Sequence, residues 1–172
     1  QGDHIISHAQ VGVTAGIEGP DRQDSPPTMV GLETTVNRDE LRKRANWDDQ
    51  PVEMLIDPAS EGDGAPDLSG WIRPAGPMPD DPIMHKAVLG FVSDRGLMSV
   101  AWRPHGGHGS FKGATLDHSI WFHRPLKFDD WHSYDMHSPT IANGRGLNHG
   151  TIHHHDGTHV ATTAQQGTFR PI

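Results

Sequence analysis

One apolar helical segment, followed by strand after strand with no second helix between them, limits what this chain can become. Asp81-Pro82 marks the start of that helix, with an acid at the N-cap and proline at the first helical position. Met84, Ala87, Val88, Phe91 and Val92 then repeat at helical spacing, and Ile83 and Leu89 widen the stripe. A helix apolar over most of its circumference is expected to be buried. Arg95-Gly96 fits its end. Beyond it the pattern alternates between strand and turn over residues 97–103, 115–124, 131–140, 146–155 and 159–170, with Asp156-Gly157 as a hairpin turn. Trp71-Ile72-Arg73 reads as a strand ahead of the helix. Without helices between the later strands, a parallel α/β sheet does not fit. The expected class is α+β, an antiparallel sheet wrapped around one buried helix.

Composition removes several functions. A formal charge of −8 with no basic run leaves nothing to neutralise phosphates, so a nucleic-acid surface is not expected. The absence of cysteine rules out disulfides and thiol catalysis and fits a reducing, cytoplasmic setting. No apolar run approaches the ~20 residues of a membrane span, and no signal peptide is visible. Residues 67–172 are expected to form the compact domain. Residues 16–66 read as a linker rich in Gly, Pro, Asp and Ser, with a short helix opened by Asn37-Arg38-Asp39-Glu40 and running to about Ala45. Residues 51–56 read as a short extended piece. Residues 1–15 read as a strand that cannot bury its apolar face alone, the last strand of another unit.

The chemistry-bearing segment is Thr115 to Pro125. Leu116, Ile120 and Phe122 fall on one face of a period-2 pattern, with His118 among them as an expected core histidine. Asp117, Ser119, Trp121 and His123 fall on the other. A lone carboxylate in such a strand must be solvated, paired or used, because burying it is costly. As a catalytic group Asp117 would be a general base; as a structural one it would pair with Arg124 or accept hydrogen bonds from a turn. The strand from Val160 to Gly167 carries Gln165, an amide able to hold a water molecule beside a carboxylate on a neighbouring strand. The 14 histidines include His153-His154-His155, with His159 across the hairpin turn, but no ligand motif frames a metal site. Trp71, Trp102, Trp121 and Trp131 are expected in the core.

Leu116-Asp117-His118-Ser119-Ile120-Trp121-Phe122-His123-Arg124-Pro125, then Gly144-Arg145-Gly146-Leu147, then Ala164-Gln165-Gln166-Gly167 resemble the C-terminal half of a type II acyl-CoA thioesterase. The resemblance runs from about Asp67 to Arg170. It implies a double hotdog fold, of which residues 67–172 would be the second hotdog and residues 1–15 the end of the first. It also implies hydrolysis of acyl-CoA to free acid and CoA, without a metal or organic cofactor. Asp117 would take a proton from water, and Gln165 would orient that water. Counting back from Arg145, the family's hydroxyl position falls on Pro139, so Thr140 or Ser138 would have to supply it. Apart from the resemblance, Arg124, Arg145 and Arg103 are cations able to meet the phosphates or adenine of CoA, with ordinary surface charge as the plainer reading of each. A backbone N–H at a helix N-terminus would polarise the carbonyl. Expected partners are the substrate, the N-terminal hotdog and other copies of the chain, since hotdog sheets pair edge to edge. Two other readings stay open: a non-catalytic acyl-CoA-binding or structural hotdog, and a His-rich β-barrel metalloprotein. The helix ahead of the strands counts against the second.

Overall fold

A computed structural model describes residues 10–12, 18–28, 31–32, 35–37, 51–60, 64–106 and 109–172. The strand expected within residues 1–15 lies outside these residues except at 10–12, which have no regular structure. Of the helix expected from Asn37, residues 38–50 also lie outside them.

Among the described residues seven antiparallel strands make one sheet: β1 (Val36–Asn37), β2 (Val52–Ile56), β3 (Asp67–Pro74), β4 (Phe111–Phe122), β5 (His132–Ala142), β6 (Arg145–His154) and β7 (His159–Pro171). Their spatial order is β1-β2-β3-β5-β6-β7-β4. Helix α1 (Pro82–Ser93) and the short α2 (Ser99–Trp102), followed by a 3-10 turn at Arg103–His105, connect β3 to β4. No helix among the described residues is long and apolar enough to cross a membrane.

Alternation sorts the strands. One face carries Leu68, Ile72, Tyr134, Met136, Ile152, Ala161 and Phe169, each 3% exposed or less, and meets Leu89, Val92, Leu97 and Val100 from the helical segment. Strand β2 adds Val52, Met54 and Ile56 to this core, all 2% exposed or less. Sheet and core therefore begin before residue 67, inside the stretch expected to be linker. Two hairpins rest on left-handed turn residues. Asn143 (φ 51°) and Gly144 (φ 69°) join β5 to β6, and Gly157 (φ 90°) helps join β6 to β7.

Two expectations about the helical segment change. Asp81 does cap α1, its carboxylate accepting from the Ile83 N–H at 2.9 Å. Yet α1 buries only His85, Leu89, Val92 and Ser93, while Ile83 (78%), Met84 (43%) and Phe91 (50%) are exposed. The expected strand at 97–103 is helical instead. Gly96 (φ 87°) reverses the chain, and Leu97, Val100 and Ala101 then enter the core at i, i+3, i+4 spacing, a helical pattern.

Gly150 shows how tightly the centre is packed. Tyr134 is fully buried and donates its hydroxyl hydrogen to the Ser93 carbonyl at 2.6 Å. A Cβ at Gly150 would overlap the Tyr134 ring and sit 2.6 Å from the Thr163 hydroxyl. Gly150→Ala is expected to cost about 1–3 kcal/mol through overpacking, lowering Tm by roughly 2–4 °C for each kcal/mol. Gly90, inside α1, has nothing within 4 Å of such a Cβ. Gly90→Ala should raise stability by about 0.5–1 kcal/mol through helix propensity. Thermal melts of the two variants should move in opposite directions; a common direction would refute this account of the packing.

Candidate functional site

A β-bulge organises the site. Between Thr115 and Asp117 the register of β4 against β7 shifts, so Thr115 pairs with Gly167, Asp117 with Gln166 and His118 with Gln165. The extra residue, Leu116, leaves the core face on which the alternation had put it and is 51% exposed. Past the bulge, His118, Ile120 and Phe122 face the helices. Asp117 and Trp121 face outward, and Trp121 is 52% exposed rather than part of the core.

This register separates the residues expected to share one water. Gln165 is fully buried on the helix side, paired with His118. Asp117 is exposed on the other side, paired with Gln166. Along Asp117's row come Gln166, Leu147 and then Thr140, which pairs with Leu147. Three strand spacings of ~4.8 Å put Thr140 about 14 Å from Asp117, too far for one water to touch both. A second bulge, between His137 and Thr140, breaks the shared face expected of Ser138 and Thr140. Ser138 is buried and donates its hydroxyl hydrogen to the Leu147 carbonyl at 2.9 Å, while Thr140 is exposed.

What the fold gathers instead is Asp94, Thr115 and Gln165. The Gln165 Nε2 donates to an Asp94 carboxylate oxygen and, at 3.1 Å, to the Thr115 hydroxyl oxygen. A carboxylate only accepts, so its presence fixes which end of the amide faces it. Asp94 and Thr115 are both exposed, and Gln165 forms the closed back of the group. The mounting is rigid. Asp94 follows the last residue of α1 and caps it through its own N–H to the Val92 carbonyl. The preceding residue, Ser93, is held by the Tyr134 hydroxyl on its carbonyl. The Ser93 hydroxyl donates to the Gly90 carbonyl at 2.8 Å, so the His118 Nε2, 2.8 Å away, carries the hydrogen toward Ser93. Burial lowers the His118 imidazole below its ordinary range, against the pull of the Asp94 and Asp117 charges. The ring is therefore neutral near pH 7.

Asp94 and Thr115 are the two members of this group that sequence reasoning did not single out. One signal was present: an acid at a helix C-terminus opposes the negative end of the dipole, an unfavourable placement that needs a reason.

The two arginines fare differently. Arg124 pairs with Asp21 and donates to the His159 carbonyl at 2.8 Å, so its guanidinium is spent on the protein. Arg145 is exposed at the start of β6. The histidines pack on one another, with His153 stacked on His159 at 4.6 Å and His123 edge-on to His159 at 4.8 Å. Among the described residues, no group of three or more His, Cys, Asp or Glu side chains is arranged to hold a metal ion.

Comparison with known proteins bears on the family and the fold. Residues 20–169 match the family model described as acyl-CoA thioesterase C-terminal domain. Acyl-CoA thioesterase 2 of Haemophilus influenzae is 39% identical over 103 residues, 58% of this chain and 36% of that protein. Acyl-coenzyme A thioesterase 8 of Mus musculus is 38% identical over 104 residues, 58% of this chain and 32% of that protein. The match thus spans about a third of the curated relatives' length. Among solved structures, acyl-CoA thioesterase II TesB2 from Mycobacterium marinum superposes with a TM-score of 0.76 at 29% identity, over 91% of this chain and 60% of that one. A protein from Alicyclobacillus acidocaldarius described as having a hot dog fold superposes with a TM-score of 0.67 at 12% identity, over 91% of this chain and 58% of that one. That likeness bears on fold alone, and the fold is the expected α+β hotdog.

Proposed function

The chain belongs to the acyl-CoA thioesterase C-terminal domain family, and on that premise we propose that it hydrolyses acyl-CoA thioesters to free acid and CoA with Asp94, not Asp117, as general base. The observation that carries this reading is the Asp94–Gln165–Thr115 cluster, an exposed carboxylate and hydroxyl joined by a buried amide. One Asp94 oxygen is held by Gln165; the other is available to a water O–H. The Thr115 hydroxyl accepts from Gln165 and directs its hydrogen to the Met98 Sδ at 3.8 Å, a weak acceptor that it gives up for the water oxygen. Held this way, the water attacks the thioester carbonyl carbon while Asp94 takes its proton. The tetrahedral intermediate then expels CoA thiolate, which recovers that proton. Water and thioester become acid and thiol, with no metal or organic cofactor in the balance.

Binding and assembly follow as part of the same proposal. Arg145 is an exposed cation suited to the phosphates of CoA. The exposed Ile83, Met84 and Phe91 on α1, with β4 lying at one edge of the described sheet, are surfaces suited to a companion hotdog domain or another copy of the chain.

The test is release of free thiol from saturated acyl-CoAs of increasing chain length, run beside calorimetric binding of CoA alone. Thiol release that scales with enzyme supports the reading. Binding of acyl-CoA without any turnover refutes it and leaves the non-catalytic hotdog.

A further inference from the structure

Helix α1 ends at a buried residue, and one phenol holds that end. The last four carbonyls of a helix have no helical N–H to accept from. In α1 the Gly90 carbonyl accepts from the Ser93 hydroxyl at 2.8 Å, and the Val92 carbonyl from the Arg95 N–H at 2.9 Å. The Ser93 carbonyl accepts from the Tyr134 hydroxyl at 2.6 Å. Ser93 and Tyr134 are both fully buried. Without the phenol this carbonyl would lie away from water with its bond to Tyr134 lost, a costly state for a backbone group.

The phenol reaches Ser93 only because β6 gives way. Tyr134 starts on β5 and crosses β6 at Gly150, where a Cβ would sit 2.4 Å from the ring and 3.0 Å from the hydroxyl. Glycine inside a strand weakens it and marks a place where something must approach the backbone closely. The phenol's single hydrogen goes to Ser93, because a carbonyl can only accept. The Thr163 hydroxyl, 3.1 Å away, therefore gives its own hydrogen to the phenol oxygen. Burial first, and the Asp94 charge with it, hold the phenol above its ordinary range against the pull of Thr163, so it stays a donor. Tyr134 is the only tyrosine in the chain. A phenylalanine would bury the same ring without a hydroxyl that needs partners. What the hydroxyl adds is its hold on Ser93.

We propose that Tyr134 is a positioning residue for the general base, fixing through the Ser93 carbonyl the direction in which Asp94 leaves the helix. The proposal rests on the thioesterase reading above. The Ser93 carbonyl and the Asp94 N–H belong to one planar peptide unit, so holding the oxygen orients the whole unit. Asp94 is exposed and follows the last helical residue, where helices fray. Its carboxylate must nevertheless stay on the Gln165 amide, beside Thr115. Tyr134 is closed off from solvent and cannot meet substrate, so its loss should register in turnover and leave substrate binding as it was.

The experiment measures kcat and KM for one saturated acyl-CoA in wild type, Tyr134→Phe and Thr163→Val, with a thermal melt of each. Tyr134→Phe is expected to lower kcat about 10- to 100-fold, the scale of a displaced catalytic group, and to leave KM within about twofold. Thr163→Val removes a hydroxyl from the same network but leaves Ser93 held. It should melt lower than wild type and keep kcat within about twofold. A kcat unchanged in Tyr134→Phe, or lowered as much in Thr163→Val, would mean that the phenol only packs, and the proposal is overturned. Should Tyr134→Phe not fold, or wild type hydrolyse no acyl-CoA, a probe that keeps the hydroxyl decides. Growth on 3-fluorotyrosine labels the chain at Tyr134 alone. Its fluorine resonance should move further in Asp94→Gly than in Asp94→Asn, because both remove the charge but only glycine frees the backbone at the helix end. Equal responses would mean that the phenol senses Asp94 only as a charge, and the hold on Ser93 positions nothing. A larger response to glycine in a protein without hydrolysis keeps the positioning and removes the reaction.

Discussion

Asp94→Asn is expected to lower turnover by a factor of about 10²–10⁴, the usual worth of a positioned general base. Asparagine keeps the size of the side chain and can still accept from Gln165, so the fold and the buried amide should survive. What is lost is the group that takes the proton. Asp117→Asn is the discriminating partner. Asp117 faces away from Gln165, and its link to the cluster is the effect of its charge on His118. An exposed charge acting at that range is worth little in water, so Asp117→Asn should change turnover by less than about tenfold. Thr115→Val should fall between them, at about 1–2 kcal/mol for one neutral hydrogen bond. The measurement is thiol release at saturating acyl-CoA, with thermal melts to confirm folding. If Asp117→Asn loses the hundredfold and Asp94→Asn does not, the base has been misassigned and the outward face of β4 is the site.

That comparison also marks where sequence reading stopped. The helix start, the later strands and the turn at Asp156-Gly157 were all legible, because capping chemistry and period-2 alternation are local signals. The class of fold followed from these, while the proposed reaction class rests on the family resemblance carried by the motif around Asp117. Which carboxylate meets Gln165 was not legible. One extra residue in a strand reverses the facing of everything on one side of it, and nothing in Thr115-Leu116-Asp117 announces the bulge. Asp94 was hidden for another reason. It lies 71 residues from Gln165 in sequence, and the contact exists only because α1 ends over the β4–β7 pair. The strand expected at 97–103 failed because its apolar spacing suits a helix, and Gly96 turns the chain so that it becomes one.

Acid is expected to destabilise this protein most through His132 and His153, which burial holds furthest below the ordinary histidine range, with His118 and His123 lowered in the same direction. His132 is fully buried; its Nδ1–H donates to the Asp130 carbonyl at 2.9 Å, and its Nε2 meets no partner among the described residues. Burial, with the nearby charges of His154 and His155 adding to it, outweighs that hydrogen bond and holds the ring down to about 4. His153 is 4% exposed and stacked on His159. Burial, then repulsion from His159, holds it down to about 4 as well. An unfolded histidine titrates near 6.5. Between about 6.5 and 4, therefore, the unfolded chain binds more protons than the folded one, and stability falls as pH falls. For His132 a depression of that size corresponds to on the order of 3 kcal/mol, and His153, more screened by solvent, adds less in the same direction. Against the stability of an ordinary domain, about 5–15 kcal/mol, that is a sizeable share. Asp135 works the other way: burial raises its carboxyl above the ordinary range, so protonating it favours the fold, and it offsets part of the loss. Thermal melts between pH 7.5 and 4 should show a plateau above about 6.5 and a steep fall below it. His132→Asn, which keeps a donor toward Asp130 but cannot charge, should flatten that fall, and adding His153→Gln should flatten it further. An acid transition as steep in the double variant as in wild type would show that carboxylates, not these rings, set the acid limit.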